Sequence, residues 1–328
     1  MDKEIKKLNE KAENYSEKIS ELKTEIKNVI VGQDKIIDKL IIGLITQGHI
    51  LLEGVPGLAK TLMVKTLSET LDSDFVRLQF TPDLLPADIT GTKIYDHENT
   101  NFKTIKGPIF SNFILADEIN RAPPKVQSAL LEAMQEKQVS IQGETYKLER
   151  PFLVMATQNP IESEGTYKLP EAQVDRFMFK LLIDYPDKKS EIEIMNRFTS
   201  RLKISAKQII KKEMILEIQD FNKEIYADEK IKEYVADIID ATRNPEKYEI
   251  EDYEDIEYGA SPRASLWLIL AGKAHALISG RGFVLPEDIK AVCYEVLRHR
   301  ILLTYEAEAD DVTTDDIIAR ILKKIKVP

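Results

Sequence analysis

Eight consecutive residues, Gly54-Val55-Pro56-Gly57-Leu58-Ala59-Lys60-Thr61, have the composition of a loop that cradles phosphates. They follow a strand-like run, Gly48-His49-Ile50-Leu51-Leu52-Glu53, and precede a helix-like stretch over 60–71. In that setting backbone N–H groups and the positive end of the helix dipole point at anionic oxygens. Lys60 would then reach the outer phosphates, and the Thr61 hydroxyl would face Mg2+. The usual pattern has Gly before the Lys, where this chain has Ala59. A small residue follows the same path if its φ is negative. The plainer alternative is a Gly/Pro turn followed by an incidental lysine, so a second motif has to decide.

That second motif is Phe113-Ile114-Leu115-Ala116-Asp117-Glu118, an apolar strand ending in two acids. At the carboxyl edge of a parallel sheet such a pair lies beside the phosphate loop. Asp117 would hold Mg2+ through its water shell, and Glu118 would polarise an attacking water as a general base. An acidic helix start explains Asp-Glu alone, but not its pairing with Lys60-Thr61 upstream. A third motif, Ala156-Thr157-Gln158-Asn159-Pro160, ends another strand and places Asn159 to orient that water. A loop Asn before Pro is its alternative. Two arginines complete the set. Arg176 precedes a core strand and could reach the γ-phosphate of a neighbouring subunit. Arg263 opens a helix after Pro262 and could contact the nucleotide from above. Taken singly, Arg176 reads better as a surface arginine paired with a carboxylate, and Arg263 has the alternative of a solvated arginine at a helix end.

The elements that must position these groups are legible as alternating patterns. Over residues 36–183, strand-like runs at 48–53, 75–80, 113–116, 152–156 and 177–183 alternate with helical ones. This predicts an α/β domain with a parallel sheet and helices on both faces. Two polar, turn-rich stretches interrupt it, at 90–108 and 138–148, and the second reads as a β-hairpin turning at Gly143. After Tyr185-Pro186-Asp187 the strands are expected to stop. Helices are predicted at 188–203, 213–222, 228–242, 262–279, 286–299 and 313–326. The expected organisation is an N-terminal amphipathic helix (1–29), an α/β core (30–185) and a smaller all-α domain (186–328). The first segment carries a heptad stripe, Ile5, Leu8, Ala12, Tyr15, Ile19, Leu22, Ile26 and Val29. It fits either a helix lying on its own domain or an arm that binds a partner.

Composition narrows the class. At ~150 residues per domain, 328 residues suggest two domains. A hydrophobic fraction of 43% excludes a disordered chain. One cysteine excludes a disulfide framework and a multi-cysteine zinc site, and fits a reducing compartment. A net charge of −10 argues against a general binder of nucleic acid or anionic membrane. The charged N-terminus lacks the apolar stretch of a signal peptide, and no apolar window is long enough to span a bilayer. A soluble, cytoplasmic protein is expected. His49, His97, His275 and His299 show no metal spacing, while Cys293 and Trp267 read as core. No Asn-Lys-x-Asp guanine signature occurs, which favours ATP over GTP.

With these motifs in place, the chain resembles a MoxR-type AAA+ ATPase, of the helix-2-insert clade of P-loop NTPases. The stretches that carry the resemblance are GVPGLAKT (54–61), QFTPDLLPADITG (79–91), GPIFSNFILADEINRAPPKVQSALLEAMQE (107–136), MATQNPIESEGTYKLPEAQVDRF (155–177), ASPRASL (260–266) and VLRHRILLTYEAEA (296–309). The match spans roughly residues 25–310. It implies that Gly54 to Leu62, with Lys60 and Thr61, form Walker A, and that Asp117 and Glu118 form Walker B. It makes Asn159 sensor 1, Arg176 the arginine finger and Arg263 sensor 2. Val31, Gly32 and Gln33 fit the adenine-side segment. The interruptions match the helix-2 insert (about 82–108) and the pre-sensor-1 hairpin (about 138–149). ATP and Mg2+ are implied, with ATP in the cleft between the α/β domain and a helical lid. So are a homo-oligomeric ring, most often a hexamer, and chaperone-like maturation or metal insertion on client proteins. Such clients often carry von Willebrand factor A domains. Lys168 departs from the family's usual Pro, which changes a loop. Two other functions compete: a nucleic-acid-associated motor, opposed by the net charge, and an ATP-gated scaffold with little turnover, opposed by the intact Glu118.

Overall fold

The computed structural model describes residues 2–55, 57–98, 100–159, 166–199 and 205–328. Two helices open the chain, α1 (Asp2–Val29) and α2 (Asp34–Thr46). The α/β region then runs β1 (Ile50–Glu53), α3 (Lys60–Thr70) and β2 (Phe75–Gln79). A first insertion follows, with α4 (Pro86–Thr90), β3 (Gly91–Asp96) and β4 (Asn101–Lys106). Next come β5 (Phe113–Asp117) and α5 (Pro124–Glu136), then a second insertion of β6 (Gln138–Ile141) and β7 (Glu144–Lys147). The region closes with β8 (Leu153–Gln158), α6 (Glu171–Val174) and β9 (Phe179–Leu182).

The main sheet has five strands in the order β2-β5-β8-β1-β9, and every neighbouring pair is parallel. Its central strands are apolar up to their carboxyl ends because both faces are covered. Alternation assigns Leu52, Leu115 and Met155 to one face and Leu51, Ile114 and Val154 to the other. The first face packs under α1, α2 and the C-terminal helices, and the second packs under α5 and the insertions.

The C-terminal region holds α7 (Lys188–Phe198), α8 (Lys212–Glu224), α9 (Glu229–Arg243), α10 (Pro262–Ile278), α11 (Pro286–Leu297), α12 (Tyr305–Ala309) and α13 (Thr314–Lys324). Residues 200–203 of the first helix expected there lie outside the described residues. Strands do not stop at residue 187 as expected: β10 (Ile256–Tyr258) pairs antiparallel with β11 (Leu302–Leu303). Strands this short carry no readable period. The first insertion, expected only as a turn-rich stretch, contains the antiparallel hairpin β3–β4. Ile94, Tyr95, Phe102 and Ile105 on it are all exposed, so no buried face imposed an alternation. The second insertion is the expected hairpin, turning at Gln142 and Gly143, both with positive φ.

The heptad stripe of α1 is buried within the chain. Ala12, Ile19, Leu22 and Ile26 lie in the core, where α1 packs on α10 and α3. Ser16 Oγ donates to the Ile278 carbonyl at 2.9 Å. Among the described residues, no helix is long and apolar enough to cross a membrane.

His49, just ahead of β1, locks the strands that carry the site. Its Nδ1 accepts the Val154 N–H at 3.0 Å, and its Nε2 lies 3.2 Å from the Met134 carbonyl. The ring must therefore be neutral with its proton on Nε2. Burial pushes its pKa down to about 4, against the upward pull of the Met134 carbonyl. Below the ordinary value of 6.5 the unfolded chain takes up a proton that the folded chain refuses until about pH 4. Stability should therefore fall as pH drops through that window, by up to about 3 kcal/mol. Urea unfolding of His49→Gln should show a shallower loss across it, and an unchanged slope would place the acid sensitivity elsewhere.

Candidate active site

The loop between β1 and α3 turns twice through left-handed backbone. Gly57 has φ +88 with open space where a Cβ would stand, so its requirement is conformational rather than steric. Ala59 has φ +56, contrary to the expectation of a negative value. It is the N-cap of α3, and its carbonyl accepts the Met63 N–H at 3.0 Å. N-caps elsewhere in the chain, such as Asp187 and Ser261, are extended, so the left-handed conformation of Ala59 belongs to the path of this loop and costs an L-residue about 1–2 kcal/mol. Lys60 Nζ donates back to the Gly54 carbonyl. Burial lowers the Lys60 pKa, while Asp117, Glu118 and Glu53 pull it back up.

The acids at the end of β5 share one hydroxyl. Thr157 Oγ1 donates to Asp117 Oδ1 at 2.7 Å and accepts the Glu118 N–H at 2.8 Å. The other oxygen, Asp117 Oδ2, accepts from Arg77 Nη2 at 2.6 Å and Nε at 3.0 Å. Glu118 Oε2 accepts from Gln79 Nε2 at 2.7 Å and pairs with Arg121 at 3.2 Å. Sequence reasoning gave no role to Thr157, Arg77 or Gln79. Thr157 had a signal, as the first polar residue after the apolar run of β8. Arg77 and Gln79 had none, because only the β2–β5 register, with Gln79 opposite Asp117, brings them here.

These groups wall one cavity of about 590 Å³, within the ~300–1,000 Å³ typical of small-molecule sites. The loop contributes Gly54, Gly57, Leu58, Ala59, Lys60, Thr61 and Leu62. Asp117, Glu118 and Asn159 face it from the strand ends, and Val31 and Gln33 from the α1–α2 connection. Val55 and Gly32 do not wall it, and Pro56 lies outside the described residues. Gly32, at φ +75, instead lets that connection close on α7, where a Cβ would fall 2.6 Å from Ser190 Oγ. The apolar end of the cavity has walls that the sequence did not suggest, namely Val29, Ile30, Ile194 and Phe198. A hard divalent cation fits the Thr61 hydroxyl and the Asp117 carboxylate. Arg77 already shows that this carboxylate attracts a cation.

Arg176 and Arg263 lie together elsewhere. They wall a second cavity, of about 410 Å³, between α2, α5, α8 and α10. Arg263 pairs with Asp175 at 3.3 Å and donates to Gln135 Oε1 at 3.4 Å. Ser261 Oγ donates to the same Asp175 carboxylate at 2.9 Å. These bonds pin the start of α10 beside Arg176, and Arg263 walls this second cavity rather than the P-loop cavity. Trp267, expected in the core, is partly buried and walls this second cavity.

The left-handed Ala59 gives a direct test of the loop. Ala59→Gly should be tolerated and should raise stability by no more than about 1 kcal/mol, because relief of strain is offset by the greater freedom of the unfolded chain. Ala59→Val should destabilise by more than that, since a β-branched side chain is poorly accommodated at positive φ. Denaturant midpoints for the three proteins decide; an equal effect of Gly and Val would contradict the strain.

Comparison with known proteins agrees with this geometry. The family model described as "ATPase family associated with various cellular activities (AAA)" matches residues 49–179, and the AAA lid domain model matches 252–321. Chaperone MoxR1 of Mycobacterium tuberculosis is 48% identical over 305 residues, 93% of this chain and 81% of that protein. YeaC of Bacillus subtilis is 43% identical, with 92% of each chain covered. A crystal structure of a Cytophaga hutchinsonii protein superposes with a TM-score of 0.93 at 52% identity, covering 99% of both chains. A P-loop α/β domain and a helical lid, in this order and with these motifs, place the chain in the MoxR family of AAA+ ATPases.

Proposed function

We propose that the chain binds ATP with Mg2+ in the P-loop cavity and hydrolyses it, the site being completed by Arg176 of a neighbouring copy. One observation carries this reading. Lys60, Thr61, Asp117, Glu118 and Asn159 wall one cavity, while Arg176 and Arg263 wall another. Mg2+, when bound, neutralises charge on the outer phosphates. Lys60 adds a second positive charge there. Glu118 takes the proton of the attacking water, and Asn159 orients that water. Thr157 holds both acids in register through its one hydroxyl. Gln79 and Arg121 hold the Glu118 carboxylate in the ground state, so the base acts only once these partners yield. Arg176 and Arg263, which wall the other cavity, act across a subunit interface.

That division of labour supports a closed ring of copies, six being the family's usual number. The heterologous contact it needs, one face with the P-loop and another with the arginines, is the kind that generates rings. The relative named a chaperone supports chaperone-like action on client proteins; client maturation in the cytoplasm, metal or cofactor insertion and partners with von Willebrand factor A domains rest on the family resemblance alone. Neither alternative, a nucleic-acid motor or a scaffold without turnover, has a specific feature of the site in its favour.

Two measurements test the reading. Glu118→Gln should keep ATP affinity and lower kcat by about 10²–10⁴-fold, whereas Lys60→Ala should weaken ATP binding by about 10–100-fold in calorimetry. Turnover that survives Glu118→Gln would remove the base. Specific activity of the wild-type chain should rise with protein concentration and then level off. A constant value down to concentrations where sedimentation shows monomer would mean that the site is complete in one chain.

A further inference from the structure

We propose that Arg300, in the turn after α11, is the positioning residue that aims Arg176 at a neighbouring copy's ATP. The proposal rests on the reading that Arg176 acts in trans, and it adds the device that holds it there. The Arg300 side chain is only 1% exposed. Its Nε donates to Asp175 Oδ1 at 2.8 Å, and its Nη2 donates to the Asp175 carbonyl at 2.9 Å and the Phe177 carbonyl at 2.5 Å. Its Nη1 donates to the Met178 carbonyl at 3.1 Å and to the Val296 carbonyl of its own helix. One guanidinium therefore straps the backbone on both sides of Arg176. His299 adds a contact from Nε2 to the Phe177 carbonyl at 3.0 Å. Arg176 itself keeps a buried Nε without a hydrogen-bond partner among the described residues.

A buried arginine is a poor way to gain stability, because desolvation offsets most of its Coulomb attraction. What it does supply is geometry. The planar fork satisfies the carboxylate and several carbonyls at fixed angles, which a lysine cannot do. Residues 175–178 cannot shift relative to α11 without leaving that charge unpaired. The same Asp175 carboxylate also accepts from Ser261 and Arg263 at the start of α10. Two lid helices thus converge on one carboxylate adjacent to the finger, and the position of the lid becomes the position of Arg176.

ATP turnover in pure and mixed assemblies tests this. Arg300→Lys keeps the charge and loses the fork. Its kcat should fall by about 10²-fold, the loss expected for a group misplaced by roughly 1 Å, while its ATP affinity stays near wild type. Mixed with equimolar Glu118→Gln, it should recover activity, because its own pocket is intact and a neighbour supplies the finger. Mixed with Arg176→Ala it should not recover, since both lack the same donated function. Recovery with Arg176→Ala but not with Glu118→Gln would place the defect in its own pocket and overturn the proposal, as would an unchanged kcat. The pair Arg176→Ala with Glu118→Gln is the control: failure to recover there sinks the trans reading itself. If circular dichroism shows Arg300→Lys misfolded, Asp175→Asn carries the same test. In either case, adding the change to Arg176→Ala should slow it no further; an additive loss would mean a general structural role.

Discussion

Parallel pairing of β8 with both β5 and β1 is the constraint on which the chemistry depends. It brings the loop after β1, the acids at the end of β5 and Asn159 after β8 to one edge, although they are far apart in sequence. Backbone hydrogen bonds fix the spacing of those edges to within a fraction of an ångström, and side chains then refine it. Thr157 is the refinement that matters most, since its hydroxyl has one proton to give and lone pairs to accept with. It gives the proton to Asp117 and accepts from the Glu118 backbone, so the two acids cannot drift independently. His49 does the equivalent work at the opposite strand ends, tying β8 and α5 to the start of β1.

The C-terminal helices are joined to this frame more tightly than a hinged cap would be. One hydrophobic cluster runs from α1 and α2 through one face of the sheet into α8, α10, α11 and α13. Gln219 of α8 donates to the Leu44 carbonyl of α2 at 2.8 Å, and Arg298 donates to the Lys180 carbonyl of β9 at 3.0 Å. The P-loop cavity and the cavity walled by the two arginines are thus set apart by packed helices and strands. The P-loop cavity also takes walls from both ends of this assembly, Val29 and Ile30 on one side and Ile194 and Phe198 on the other.

Much of this was legible in the chain, for identifiable reasons. The five core strands announced themselves because both faces are buried, which demands unbroken apolar runs. Lys60, Thr61, Asp117, Glu118 and Asn159 were legible because each sits at the boundary between such a run and a turn. Arg77 and Gln79 were not, since their function comes from which strand lies beside which. The partner of Arg263 was hidden for the same reason: its helix start was visible, but nothing in the sequence says that Asp175 lies near. Ala59 failed in a different way. Its size fitted the loop, but its left-handed dihedral leaves no mark in residue type. The hairpin β3–β4 and the short pair β10–β11 left no period, one because neither face is buried and the other because it is too short.

The hairpin β3–β4 has a cost for the free subunit. It carries four exposed apolar residues on two strands and has open backbone edges, the combination by which folded proteins stick to one another. Lys93, Lys103 and Lys106 are interleaved on the same strands, and Lys93 pairs with Glu144 of the second hairpin. Like charges facing each other across two approaching hairpins oppose edge-to-edge pairing at low ionic strength, and salt screens that opposition within about 10 Å. Edge-to-edge sticking of this hairpin is thus opposed by lysines on its own strands, although the chain as a whole is acidic.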